Sequence, residues 1–176
     1  MSKRSNFEKI PKDFYATVDS KAIPPKFVEF IRGKTYAEPA YGDGDLEDLL
    51  MDVATCNWRS DIRETVGSSK VMDAMCLSKE DTARCDLIVT NPPFSKDVLL
   101  PIIDHFVNLK PTWLLLPADY MHNRYFSDYM SRCRKVVSVG RLKWFKDSKH
   151  TSTDNFAWYF WPKGATTDGV TYFYGR

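Results

Sequence analysis

Apolar residues along the chain follow two patterns that alternate. Short runs that are mostly apolar or β-branched predict strands in TYAE, TCNWRSD, KVMDA, DLIVTN and TWLLLP. Apolar residues at helical spacing predict helices in KFVEFIRG, after Gly44, in KDVLLPIIDHFVNL and in RYFSDYMSRC. In the third of these helices we expect Pro101 to cause a kink or to lie in the first turn. Strands that alternate with helices predict a doubly wound α/β sheet.

The last two apolar runs differ from the earlier ones. KVVSVGRLKWF and DNFAWYFWP are rich in β-branched and aromatic residues, and the segment between them is too short for a crossover helix. They therefore predict an antiparallel pair on the edge of the sheet. We expect residues 1–12 and the last few residues to be flexible.

Composition limits the class of protein. The chain has 176 residues, 43% hydrophobic and 14% aromatic, so we expect one core and a single domain over residues 1–176. Twenty-five basic and 23 acidic residues give a net charge of +2, which allows a local basic patch but not a basic coat. The sequence shows neither a secretory leader nor an apolar run of membrane-spanning length, so we expect a cytoplasmic protein.

The four cysteines are Cys56, Cys76, Cys85 and Cys133. They show neither CxxC pairing nor histidines at ligand spacing, so we expect no metal site and no disulfide. We interpret all four as small core residues in a reducing compartment.

A stiff corner follows the predicted strand DLIVTN. Asn91 at the strand end is followed by Pro92, Pro93 and Phe94. Proline fixes φ at about −65° and has no N–H, so the corner is rigid and its carbonyl groups stay free as acceptors. Such a corner can hold a ligand in one pose. Alternatively, it is a turn that closes the strand with Phe94 in the core.

A glycine turn joins the strand TYAE to the next helix. Gly42 and Gly44 allow close approach of a ligand to the backbone, although such turns also occur in ordinary loops. Six carboxylates and no basic residue lie between Glu38 and Asp52, which disfavours a pyrophosphate and favours an ammonium-bearing ligand. The carboxylates within the helix can instead complement its dipole. We therefore expect Glu38, at the strand end, to face the ligand.

Two aspartates follow the next two predicted strands. Asp61 lies 19 residues after Gly42, close to the separation of about 20 at which an acidic residue meets ribose in Rossmann-like sites. Asp73 could accept an N–H from an adenine amino group, and either aspartate could instead be an N-cap or turn residue. Ligands of open α/β sheets bind at the carboxyl ends of strands, so these acidic strand ends predict one site.

With these motifs the chain resembles S-adenosylmethionine-dependent amino methyltransferases of the N-P-P-[YF] type, most closely the small N6-adenine DNA methyltransferases common in phage genomes. NPPF at 91–94 is similar to the catalytic motif, and EPAYGDG at 38–44 is similar to the cofactor motif. DFYAT at 13–17 is similar to the N-terminal cofactor motif, with Val18 where proline is usual. The resemblance implies a Rossmann-like class I methyltransferase fold, with a seven-stranded mixed sheet and an antiparallel last strand.

The resemblance also implies a reaction. A methyl group would pass from S-adenosylmethionine to the N6 amino group of a flipped-out adenine in DNA. The implied catalytic residues are Asn91 and Pro92, which accept the amine N–H groups, Pro93, and Phe94, which stacks on the base. The implied cofactor-binding residues are Phe14, Tyr15, Thr17, Glu38, Pro39, Ala40, Gly42, Gly44, Asp61, Asp73, Ala74 and Asn91. Among these, Asp61 would hold the ribose and Asp73 the adenine amino group.

A basic stretch extends from Arg132 to His150 with one acidic residue in it. It predicts a DNA-contacting edge, although charge beside a surface strand also serves solubility. The predicted DNA-binding residues are Arg141, Lys143, Lys146, Lys149 and His122. By resemblance, Asn155 and Phe156 would help to wall the target-base pocket. No separate target-recognition domain fits, so we expect recognition by loops such as 119–125 or through dimerisation.

Other functions remain open from the sequence. The same corner occurs in methyltransferases that act on rRNA bases or on protein glutamine, which also present a planar conjugated amine. A degenerate homologue that binds nucleic acid without turnover is a further alternative. We expect DNA as the partner, a monomer or homodimer, no membrane, and the host cytoplasm if the chain is phage-encoded.

Overall fold

An eight-stranded sheet forms the centre of the computed structural model, which describes residues 15–65 and 70–176. The strands are β1 Thr35–Glu38, β2 Thr55–Asp61, β3 Lys70–Val71, β4 Leu87–Thr90, β5 Thr112–Pro117, β6 Lys135–Gly140, β7 Phe156–Trp161 and β8 Tyr172–Tyr174. Their order across the sheet is β3-β2-β1-β4-β5-β7-β6-β8. β7 runs antiparallel to β5 and β6, and the other neighbours are parallel. The predicted α/β class with a mixed sheet is confirmed.

The prediction of seven strands is wrong by one. β8 lies among the last residues, which we expected to be flexible, and it pairs in parallel with β6. The predicted antiparallel pair of β6 and β7 is present, but β8 forms the edge of the sheet and the antiparallel strand is not the last. A run of three residues is too short to give a readable strand pattern, and β8 is ordered by the open edge of β6.

Four α-helices lie within the described residues. They are α1 Pro25–Ile31, α2 Asp45–Leu50, α3 Lys96–Leu109 and α4 Ser127–Arg132. Pro101 is the sixth residue of α3 and therefore lies inside the helix, not in its first turn. The 3-10 helix Ala118–His122 lies in the segment where we expected a loop, and a second 3-10 helix, Arg124–Phe126, begins the run RYFSDYMSRC where we expected a helix. None of the helices in the described ranges is long and apolar enough to cross a membrane.

Apolar clusters cover both faces of the sheet. Trp113 of β5 packs in one cluster with Phe27 of α1, and their ring centroids are 5.3 Å apart. The next residue, Leu114, belongs to the opposite cluster together with Phe106 of α3. Successive side chains of a strand point to opposite faces, so a continuous apolar run such as TWLLLP suits a sheet buried on both sides.

Three of the four cysteines lie in the core. Cys56, Cys85 and Cys133 are buried free thiols, and burial raises the pKa of each, to about 11 for Cys85 and about 12 for the other two. Cys76 is exposed, so its assignment to the core is wrong. It ends a short 3-10 helix that follows the edge strand β3, where the sheet leaves the chain open to solvent.

Candidate functional site

An open cleft lies where β1, β2 and β4 reach their carboxyl ends. In a parallel sheet these ends share one edge, so residues that follow different strands come together there. The cleft is lined by Tyr15, Ala16, Thr17, Glu38, Pro39, Ala40, Tyr41, Gly42, Asp43, Asp45, Leu46, Asp61, Ile62, Arg63, Asp73, Ala74, Asn91, Pro93, Val98 and Ile102.

Most of the cofactor-site residues named from the sequence line this cleft. They are Tyr15, Thr17, Glu38, Pro39, Ala40, Gly42, Asp61, Asp73, Ala74 and Asn91. Gly44, Pro92 and Phe94 do not line it, whereas Pro93 does. Phe14 lies outside the described residues.

The glycine turn is fixed to the end of β2. Gly42 and Gly44 have φ values of 61° and 91°, a backbone region that favours glycine. The Gly42 N–H donates to Asp61 Oδ2 at 2.8 Å. A Cβ atom at Gly44 would lie 2.6 Å from the Tyr41 hydroxyl oxygen. The turn therefore needs glycine at position 44 both for its backbone conformation and for the space that Tyr41 takes.

Glu38 is a buried carboxyl group that lines the cleft. It is the last residue of β1, its exposed fraction is 1%, and none of the described residues donates to its Oε2 atom. Burial and then the nearby Glu47 carboxylate raise the pKa of Glu38 well above its usual value. The carboxyl group is therefore available to a cation or hydrogen-bond donor that enters the cleft.

An ion pair supports the glycine turn from behind. Arg59 of β2 pairs with Glu47 of α2, and this pairing lowers the pKa of Glu47. The Arg59 guanidinium also lies 6.0 Å from the centre of the Tyr41 ring. These contacts tie α2 to β2, so Glu47 serves the fold and does not line the cleft.

Asp61 and Asp73 combine local hydrogen bonds with a place in the cleft. Asp61 Oδ1 accepts from the backbone N–H of Arg63 at 2.9 Å and from its Nε at 3.1 Å. Asp73 is exposed, lies two residues beyond β3, and accepts the Met75 N–H at 2.8 Å as the cap of a 3-10 helix. The turn and cap roles considered from the sequence are therefore both present, and each carboxylate has further lone pairs for a ligand.

Asn91 is held with its amide oxygen unpaired. Its Nδ2 donates to the Tyr15 carbonyl oxygen at 2.7 Å and to Thr17 Oγ1 at 3.1 Å. A carbonyl oxygen can only accept, so these contacts determine which amide atom is nitrogen. Oδ1 is buried, and no donor among the described residues reaches it. A group that brings an N–H into the cleft would satisfy this oxygen.

Phe94 belongs to an aromatic cluster beside the corner. Its ring stacks on Tyr15 with a centroid separation of 5.4 Å, and Phe156 lies 5.6 Å away. Trp144 completes the cluster, with its ring 4.7 Å from Phe156. The Tyr120 hydroxyl donates to the Phe94 carbonyl oxygen at 2.7 Å and so fixes the backbone of the corner. Phe94 therefore packs against both core clusters while remaining partly exposed.

The predicted DNA-binding residues are not gathered in one place. Lys146 pairs with Asp45, the first residue of α2, at 3.0 Å, and the Lys143 N–H donates to Asp19 Oδ2 at 3.0 Å. Arg141 lines a second hollow, together with Asn155. Lys149 and His122 are exposed.

Sequence reasoning missed several residues of the cleft. Val98 and Ile102 are four residues apart on α3, so their helical spacing could have placed them on one face. Ile62 and Arg63 follow β2 directly, and no sequence pattern distinguishes them from an ordinary loop.

No protein-family model and no curated protein sequence matches the chain. Solved protein structures, in contrast, do match the chain. A suggested RNA methyltransferase from Pyrococcus horikoshii is 14% identical, with a TM-score of 0.53 over 77% of this chain and 78% of its own. A suggested class I S-adenosylmethionine-dependent methyltransferase from Listeria monocytogenes is 12% identical, with a TM-score of 0.56 over 89% of this chain and 60% of its own.

The type IIG restriction endonuclease BpuSI is also similar in structure. It is 13% identical, with a TM-score of 0.57 over 92% of this chain. The chain spans only 26% of the length of BpuSI. Identities this low show a shared architecture, and the chain therefore has the fold of class I S-adenosylmethionine-dependent methyltransferases.

Proposed function

We propose that this protein transfers a methyl group from S-adenosylmethionine to the N6 amino group of adenine in DNA. One observation carries the proposal. Asn91 presents a buried amide oxygen without a described donor, in an orientation fixed by Tyr15 and Thr17, at a cleft rich in carboxylates.

The proposed reaction needs a hydrogen-bond acceptor in this position. An amine conjugated to a purine ring is a poor nucleophile, because its lone pair is delocalised into the ring. Asn91 Oδ1 and the Pro92 carbonyl would each accept one N–H and hold the nitrogen in line with the methyl group. These hydrogen bonds strengthen as positive charge develops on nitrogen, so they stabilise the transition state more than the bound amine.

The cleft has suitable groups for the cofactor. The buried Glu38 carboxyl group, with Oε2 unpaired among the described residues, suits the ammonium group of the methionine moiety. Asp61 and Asp73, at the ends of the next two strands, would accept from the ribose hydroxyls and the adenine amino group. When bound, S-adenosylmethionine would supply an electrophilic methyl group and leave as S-adenosylhomocysteine, and the methylated nitrogen would release one proton to water. The protein's own part is to bind, to orient and to accept hydrogen bonds.

The aromatic cluster supports a planar acceptor. Phe94 and the Tyr15 ring stacked on it are both partly exposed at the corner, so a flipped base would meet an aromatic surface there. Base–aromatic stacking contributes about 1–3 kcal/mol, comparable to the few kcal/mol that unstacking a base costs. A planar base would therefore be held without a covalent bond to the protein.

Two observations bear on which acceptor is used. The restriction endonuclease BpuSI shares the fold, which favours DNA, and the suggested RNA methyltransferase shares it too, which keeps RNA as the second candidate. Exposed basic residues at the same sheet edge suit either phosphate backbone. We favour DNA because the corner and the cofactor motif together resemble N6-adenine DNA methyltransferases.

The test is to incubate the protein with methyl-labelled cofactor and unmethylated DNA, RNA or total protein in separate reactions. Digestion of the DNA should release label as N6-methyldeoxyadenosine. Label recovered from RNA or from glutamine would replace the DNA assignment. Calorimetric binding of the cofactor without transfer to any acceptor would instead indicate a binding homologue that has lost turnover.

A further inference from the structure

A second hollow opens on the same edge of the sheet as the cleft. Lys21, Arg141 and Arg176 line it together with Val139, Thr151 and Asn155. β6 ends at Gly140 and β7 begins at Phe156, so Arg141 and Asn155 both lie at the edge where β4 reaches Asn91. The hollow therefore faces the same side of the molecule as the proposed catalytic corner.

The hollow carries positive charge that the described residues leave uncompensated. Lys21, Arg141 and Arg176 are exposed, and none of them forms an ion pair with a carboxylate in the described ranges. The nearby Asp19 carboxylate instead accepts backbone N–H groups, from Lys21 at 3.1 Å and from Lys143 at 3.0 Å. Three free cations around one concave site suit an anion with several oxygen atoms.

The placement of Arg176 depends on a glycine. Gly140 has a φ of +93°, and a Cβ atom there would lie 2.6 Å from Arg176 Cζ. The guanidinium can therefore lie against the end of β6 only because position 140 has no side chain. This brings the Arg176 guanidinium beside Arg141.

The spacing between hollow and corner suits a continuous polynucleotide. β4 and β6 are separated by three inter-strand steps, which at about 4.8 Å each place the hollow on the order of 14 Å from the corner. Phosphates of one strand repeat at about 3.4 Å along a duplex axis, so roughly four repeats span this distance. The hollow is also linked to the corner through the chain, because Asn155 precedes Phe156, which packs on Phe94.

We infer that this hollow binds a backbone phosphate of the nucleic acid whose base enters the cleft. The inference rests on the proposed function for the identity of the base. The hollow would contact only the charged phosphodiester group, so it would position the strand without distinguishing one base from another. Thr151 and Asn155 lie where neutral donors would complete the coordination of the phosphate oxygens.

The test compares two double variants that each remove two positive charges. Lys21→Ala with Arg141→Ala changes the hollow, and Lys34→Ala with Lys163→Ala changes two exposed lysines at the opposite edge of the sheet. The measurement is fluorescence anisotropy of a labelled, adenine-containing single-stranded DNA across a salt series. Calorimetry with S-adenosylmethionine accompanies each variant and should give an unchanged affinity.

We expect the hollow variant to bind DNA about tenfold more weakly than the wild type at low salt. Its plot of log affinity against log salt should be shallower by about 0.7, because the loss of one phosphate contact removes about 0.7 from the slope on single strands. If both double variants showed the same DNA affinity and the same salt dependence, the hollow would not be a phosphate site, and the methyltransferase proposal would be unaffected. A wild-type protein that binds no DNA or RNA oligonucleotide would overturn both.

Discussion

Replacing Asn91 by alanine separates catalysis from cofactor binding. The substitution removes the proposed acceptor Oδ1 and the two hydrogen bonds from Nδ2, at 2.7 Å to Tyr15 and 3.1 Å to Thr17. By analogy with the loss of one preorganised hydrogen-bonding group in other active sites, turnover should fall by about 10²–10³-fold, or about 2.7–4 kcal/mol. The affinity for S-adenosylmethionine should change little, because the carboxylates proposed to hold it are untouched.

The same substitution has a separate cost in stability. Two hydrogen bonds at about 0.5–1.5 kcal/mol each predict a loss of about 1–3 kcal/mol in the free energy of unfolding. Asn57→Ala is the matched control, since Asn57 Nδ2 donates to the Arg84 carbonyl oxygen at 2.8 Å on the exposed side of β2. Asn57→Ala should also lower the free energy of unfolding, because it removes one side-chain hydrogen bond, and it should keep full turnover.

The assay is methyl transfer under single-turnover conditions, with calorimetric cofactor titration and urea unfolding for each variant. A third variant, Thr17→Val, removes one of the two bonds that orient the amide and keeps the acceptor, so it should lose turnover only several-fold. If Asn91→Ala lost cofactor affinity and turnover in the same proportion, the residue would be structural and its unpaired oxygen would have no catalytic role.

Three further predictions follow from the site. Burial raises the pKa of Glu38 above its usual 4.5, so the folded protein keeps a proton that the unfolded chain releases. The free energy of unfolding should therefore fall as pH rises from about 4.5 through the folded-state pKa. Urea unfolding of Glu38→Gln should not show this fall. Tyr120→Phe removes the 2.7 Å bond to the Phe94 carbonyl and should lower kcat several-fold at constant cofactor affinity; an unchanged kcat would show that this bond does not position the corner. Gly44→Ala should lower the free energy of unfolding by about 1–2 kcal/mol and weaken cofactor binding, and adding Tyr41→Phe should restore part of the lost stability. A Gly44→Ala variant that unfolds at the same temperature as the wild type would contradict the close packing of Gly44 against Tyr41.

The sequence was most informative where one strong pattern determined one element. Continuous apolar runs such as LIVT and TWLLLP predicted buried strands, because a sheet covered on both faces permits no polar alternation. Acidic residues at successive strand ends predicted the cleft, since parallel strands bring their carboxyl ends to one edge. That is why Glu38, Asp61 and Asp73 are found together.

The features that could not be predicted from the sequence depend on contacts between residues far apart in the chain. β8 has only three residues, and its order comes from pairing with β6, which no local pattern reveals. The pairing of Lys146 with Asp45 joins segments about a hundred residues apart, so no local pattern reveals that this lysine lies beside the glycine turn. The orientation of the Asn91 amide likewise depends on Tyr15 and Thr17, far away in the chain.

A crystal structure with S-adenosylhomocysteine and an adenine nucleotide in the cleft would show which group Asn91 contacts. We expect Asn91 Oδ1 to accept an N–H from the N6 amino group of the base, with Nδ2 still held by Tyr15 and Thr17 and the N6 atom aimed at the cofactor sulfur. An Asn91 side chain turned away from the base, with its oxygen bound to another protein group, would rule out the proposed role of Asn91.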